Sequence, residues 1–106
     1  MKDMPDNVLV YAARYKILET DEPIIVGGKQ CGGECDYNKC EITLSKKEIS
    51  GGRVPLVLMH EVTHAMLFEN GLTEETDNEE TVEKIAKGII DLIGHNPQLV
   101  RYIQLS

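Results

Sequence analysis

The chain has no tryptophan and one phenylalanine, so aliphatic side chains and methionine must fill whatever core it builds. Basic residues are also scarce. Eleven Lys and Arg stand against eighteen Asp and Glu, and the net charge of −7 disfavours nucleic acid or an anionic membrane as the main partner. No apolar run reaches transmembrane length, and the opening Met1–Asn7 is polar and acidic, unlike a secretion signal. A cytoplasmic setting follows as the expectation. The three cysteines, Cys31, Cys35 and Cys40, have C-x3-C-x4-C spacing, which matches no standard zinc knuckle, and their number is odd. They are expected to be free thiols acting as small apolar residues. No repeat, low-complexity tract or linker divides the 106 residues, so a single domain with one modest core is expected.

The apolar share of 42% is enough for a folded domain, and its longest concentration, Val54 to Phe68, contains His60-Glu61-Val62-Thr63-His64. On a helix, positions i and i+4 share a face, so both imidazoles aim at one spot. Two neutral ring nitrogens one turn apart suit zinc. Glu61 lies about 100° round the helix from His60, which makes it a poor ligand but a suitable base for a water near the metal. Pro55 fits a first helical turn, and Asn70-Gly71 supplies a stop. Apolar residues lie on both sides of this helix, so burial on both faces is expected. The competing reading is a pair of core histidines satisfied by hydrogen bonds.

Upstream, Val8–Glu19 reads as one bent strand or a hairpin, and Ile24–Val26 as a short strand ended by Gly27-Gly28. Gly32-Gly33 opens a further hairpin with Asp36–Lys39 as its turn and Cys40–Leu44 as the return strand. That turn would set Cys35 opposite Cys40, with Cys40–Leu44 as the edge strand available to an extended peptide. Downstream, a second helix is expected from Asp77–Glu80 to Ile93, opened by an Asp77/Glu80 capping box and stopped by Gly94 and Pro97. Its apolar stripe is Val82, Ile85, Ala86, Ile89, Ile90 and Ile93. Pro97–Ile103 is expected to be a short helix packing back on the domain.

A catalytic zinc commonly takes three protein ligands and leaves one position for water. The longer H-E-x-x-H-x-x-G-x-x-H pattern is absent, because Leu67 and Asn70 occupy its Gly and final His positions. The acids opening the second helix remain. At about 100° per residue, Glu79 lies about 50° from the centre of the stripe, Glu83 about 90° and Glu80 about 150°. Glu79 is the acid that can look inward. An acidic first turn also suits the helix dipole, which accounts for the sign of the cluster but not for one acid continuing the apolar face.

HEVTH followed by NEETVEKIA resembles the gluzincins, whose second helix carries N-E-x-x-S/A-D. It resembles more closely the small ImmA/IrrE-like metallopeptidases and their phage and mobile-element relatives, with E-x-x-A-x-x-F-A. Glu79, Val82, Ile85 and Ala86 stand at those four positions. GECDYNKCEITLS and the NPQLVRYI tail add to a resemblance spanning Gly33 to Ile103. It implies His60, His64 and Glu79 as ligands of one zinc per chain, Glu61 as general base, and Glu83 as the acid orienting the first histidine. The helix-turn-helix of some relatives is missing, and Tyr37, Tyr102 and His95 are left as candidates for steadying an oxyanion.

The expected fold is α+β, a small and mainly antiparallel sheet against a zinc-binding helix pair, as in a minimal zincin. The expected function is zinc-dependent peptide hydrolysis on a peptide or protein substrate. The alternatives are a non-catalytic zinc-bound module acting on a host or phage protein, with a basic regulatory protein suited to the acidic surface, and a structural zinc domain with four protein ligands. Oligomeric state is open.

Overall fold

A computed structural model describes residues 4–49 and 51–106. Strands β1 (Asn7–Val10) and β2 (Ala13–Thr20) form an antiparallel hairpin, the second of the two sequence alternatives, with Tyr11 in the left-handed region at φ 54°. Next come β3 (Ile24–Val26) and β4 (Lys29–Cys31), a separate two-stranded ribbon. Gly27 and Gly28, at φ 59° and 80°, make the tight turn between them, a turn that requires two successive positive φ values. β5 (Gly33–Asp36) and β6 (Glu41–Ser45) complete a four-stranded sheet of order β1-β2-β6-β5.

The sheet is mixed, because β2 and β6 run parallel at its centre. Parallel neighbours need a long crossover, and residues 21–40 supply one by passing through the β3–β4 ribbon and returning along β5. Two sequence expectations change as a result. β6 is an interior strand, and the free edge beside it is β5. The hairpin register is also displaced, pairing Cys35 with Ile42 and Asp36 with Glu41, so Cys35 does not face Cys40. The turn spans Tyr37–Cys40. Asp36 accepts the Lys39 backbone N–H at 3.1 Å, and Cys40 itself adopts φ 52° and so leaves the strand.

Alternation along β2 and β6 puts Tyr15, Ile17, Ile42 and Leu44 inside. Tyr15, Ile42 and Leu44 pack on helix α1 (Val54–Glu69), which follows a 3₁₀ turn at Gly51–Arg53. Pro55 occupies its first turn. At the other end Gly71 (φ 78°) closes a two-bond cap, Leu72 N–H to Leu67 carbonyl at 2.8 Å and Gly71 N–H to Phe68 carbonyl at 3.0 Å. The buried Tyr15 hydroxyl donates to Glu69 at 2.7 Å, tying β2 to the last turn of α1. α1 has the sheet on one side and α3 on the other, which explains the apolar residues all round it.

A four-residue helix, α2 (Thr73–Thr76), leads into α3 (Glu79–His95) and α4 (Pro97–Gln104). Asn78 caps α3 by accepting the Thr81 N–H at 3.1 Å, in place of the Asp77/Glu80 box. Glu80 is exposed and pairs with Lys84 one turn on. α3 continues through Gly94 to His95, and Asn96 both ends it and starts α4. α4 is a helix as expected, but it buries none of its residues: it packs on α3 and leaves Leu99, Tyr102 and Ile103 in solvent. Among the described residues, no helix is long and apolar enough to cross a membrane.

Candidate metal centre

α1 sets His60 and His64 on successive turns of one face, with ring centroids 5.0 Å apart. α3 packs along that face, and its Asn78 cap places Glu79 at the first helical position, beside both rings. The Glu79 carboxylate lies 2.8 and 3.1 Å from His64 Nε2 and 3.3 Å from His60 Nε2. One ligand atom from each of the three residues falls within 4.8 Å of the others. The helical phase that singled out Glu79 over Glu80 agrees with this placement.

The far nitrogens of the two rings determine what the near ones can do. His60 Nδ1 is 2.8 Å from Glu83 Oε1, and an ionised carboxylate only accepts, so Nδ1 carries the proton there. His64 Nδ1 lies 3.0 Å from Thr76 Oγ1, which is also 3.2 Å from the His64 carbonyl and 3.0 Å from the Tyr37 hydroxyl. A hydroxyl has one hydrogen. The arrangement that satisfies all three contacts gives that hydrogen to the carbonyl, while Nδ1–H and the Tyr37 O–H both donate to Thr76. Both Nε2 atoms then turn lone pairs toward the Glu79 carboxylate. Three acceptors facing one point repel unless a cation lies among them, either a proton or a metal ion. Two imidazoles and a carboxylate form a donor set that suits zinc, so the residues present fit such an ion. Burial alone would lower the His60 pKa, but hydrogen bonding to Glu83 and the charges of Glu61 and Glu79 outweigh it and raise the value.

Glu61 is 7% exposed and lines the same cleft as the three candidate ligands. Its methylene stem lies against Gly33 of β5: a Cβ at that glycine would stand 3.1 Å from Glu61 Cγ and 3.0 Å from Leu44 Cδ2. Only a residue without a side chain lets the edge strand lie this close. Burial is the largest influence on the Glu61 carboxyl. Glu79 and Glu34 add to it, His60 opposes it, and the pKa is pushed up from the usual 4.5 to about 7. A carboxyl poised there can both take and return a proton near neutrality.

These groups line a cleft of about 430 Å³ walled by β5 on one side and the first turns of α1 on the other. Tyr37 is in it, stacked on Phe68 with centroids 4.1 Å apart. His95 pairs with Asp91 at the far end of α3 and Tyr102 is 76% exposed; neither lines the cleft. All three cysteines are free thiols. Cys31 and Cys35 reach the cleft, but burial and then Glu61 push the Cys35 thiol up to about 12, so it stays protonated. Thr76 had no signal in the sequence pattern, and Gly33 and Asn78 were marked only as parts of a hairpin opening and a helix opening. Thr76 is the one buried residue of an otherwise exposed turn, and only the packing of α2 against α1 reveals its role.

Comparison with protein-family models, with curated proteins and with solved structures finds no match to this chain.

Proposed function

We propose that the chain is a metal-dependent peptide hydrolase with a minimal zincin-like architecture, and that His60, His64 and Glu79 hold one zinc ion. The observation that carries this reading is the convergence of two lone-pair-bearing Nε2 atoms and the Glu79 carboxylate beside a buried carboxyl in the same cleft. When bound, the ion supplies a Lewis acid for a carbonyl and lowers the pKa of a water. Glu61 then accepts a proton from the attacking water and returns it to the leaving amine. Glu83 and Thr76 keep the imidazoles turned to the cleft. Tyr37 holds Thr76, so its hydroxyl is committed to the fold of the site before any role toward substrate. β5 is a free edge lining the cleft, and its unpaired backbone groups suit an extended peptide.

A module that only bound zinc would have no use for a buried carboxyl between its ligands, which favours hydrolysis over the binding reading. The test is direct. Zinc-loaded protein should cleave members of a random peptide mixture, and Glu61→Gln should retain the metal and lose the cleavage. Absence of a tightly held divalent ion after reconstitution at neutral pH would reject the proposal, as would undiminished cleavage by Glu61→Gln.

A further inference from the structure

Among the described residues, four carboxylates line the cleft, Glu34, Glu61, Glu79 and Glu83, and one Lys or Arg does, Arg53. Arg53 has no ion-pair partner among the described residues, and it differs from the other basic side chains that also have none in lining the cleft. Its place at the N-cap of α1 explains how it reaches the cleft. Arg53 stands at the N-terminal boundary of the helix, seven positions before His60, so it shares the face of both histidines, with Leu56 and Val57 one turn before His60 between them.

We infer that Arg53 is a specificity-determining residue, and that the cleft selects peptides bearing a carboxylate (an acidic side chain or a free C-terminus) about three residues from the bond to be cut. The inference rests on the hydrolase reading and deepens it. Seven helical positions correspond to about 10 Å along α1, and an extended strand covers that distance in about three residues at roughly 3.3 Å each. Guanidinium is the group suited to a planar carboxylate, which it grips with two parallel N–H donors. The intervening Leu56 and Val57 offer no charge, so a carboxylate placed nearer the metal would meet apolar side chains and then Glu79.

The experiment uses zinc-loaded protein and peptide mixtures in which one position at a time is fixed as Glu, Ala or Lys, with the C-terminus amidated or free. Wild type should cleave mixtures with the carboxylate at one position, about three residues from the scissile bond, about five- to tenfold faster in kcat/KM than those with Ala there, the range of a partly exposed charge-assisted contact. Arg53→Ala should bring the two within twofold while leaving the Ala mixtures unchanged, and Arg53→Glu should prefer Lys at that position. Equilibrium binding of labelled peptides of the same design, read by fluorescence anisotropy with and without zinc, measures the contact without turnover. There Arg53→Ala should weaken only the carboxylate-bearing peptides. Cleavage with no positional preference, or a preference that survives Arg53→Ala, overturns the inference and leaves the hydrolase reading standing. Binding selectivity lost in Arg53→Ala without cleavage by wild type would reject hydrolysis and keep the assignment of Arg53. Neither cleavage nor carboxylate-selective binding rejects both.

Discussion

The two ends of α3 carry the same kind of apolar stripe and meet different surroundings. In the first half Val82 and Ala86 are fully buried against α1, and the same stretch delivers Glu79 and Glu83 to the two histidines. In the last turn Leu92 and Ile93 are half exposed or more, and α4 extends that open surface with Leu99, Tyr102 and Ile103. Amphipathic periodicity therefore states which face of a helix would be buried, while the length of its neighbour decides how much of that face is. The site forms where the stripe has a partner, because ligands must be held by packed elements.

The widest gap between the two ends should appear in metal binding. His60→Ala or His64→Ala should remove the ion, and Glu79→Gln should weaken it by more than the ten- to hundredfold typical of outer partners, whereas Ile93→Ser should leave affinity unchanged. Isothermal titration with zinc reads all four, and an effect of Ile93→Ser comparable to that of Glu79→Gln would erase the distinction.

Next in size is the pH behaviour of the metal-free fold. The folded pKa of Glu61, about 7, lies above its usual 4.5. Its contribution to stability is therefore full below about pH 4.5 and lost as pH rises through about 7. Above that window the buried charge costs about 3 kcal/mol, from the size of the shift. Glu61→Gln should remove this loss, so chemical denaturation of the metal-free variant should show higher stability than wild type at pH 8 and little difference at pH 4. Equal pH slopes for the two proteins would contradict the burial of this carboxyl.

The supports behind the two rings sharpen the picture within the packed end. Glu83→Gln replaces a carboxylate partner of His60 by a neutral one and should lower zinc affinity about tenfold or more. Thr76→Val leaves His64 Nδ1 and the Tyr37 hydroxyl without their acceptor and should act in the same direction, with Thr76→Ser restoring most of the loss. If the serine variant behaved like the valine variant, the methyl group and not the hydroxyl would be what matters at this position.

The smallest effects belong to the open end. Val82→Ala, in the buried half, should cost about 2 kcal/mol, while Tyr102→Ser or Ile103→Ser should stay within about 0.5 kcal/mol. Thermal unfolding compares them. A large loss on Ile103→Ser would mean that α4 is packed in solution.

Much of the site could be read from the chain because it depends on local geometry. The i, i+4 spacing of His60 and His64 and the helical phase of Glu79, Glu80 and Glu83 follow from a period of 3.6 residues, which no tertiary contact has to supply. The start at Pro55, the stop at Asn70-Gly71 and the Gly27-Gly28 turn are local for the same reason. Where competition between distant partners decides, the sequence pattern was silent or misleading. The hairpin register moved because Cys40 took a left-handed conformation, and the α3 cap fell one residue later than anticipated because Asn78 accepts the Thr81 N–H. The parallel pairing of β2 with β6 made β5 the edge. Thr76 meets His64, Gly33 meets Glu61 and α4 meets α3 through the packing of whole elements, since such contacts depend on where helices and strands end up in space and no period along the chain encodes that.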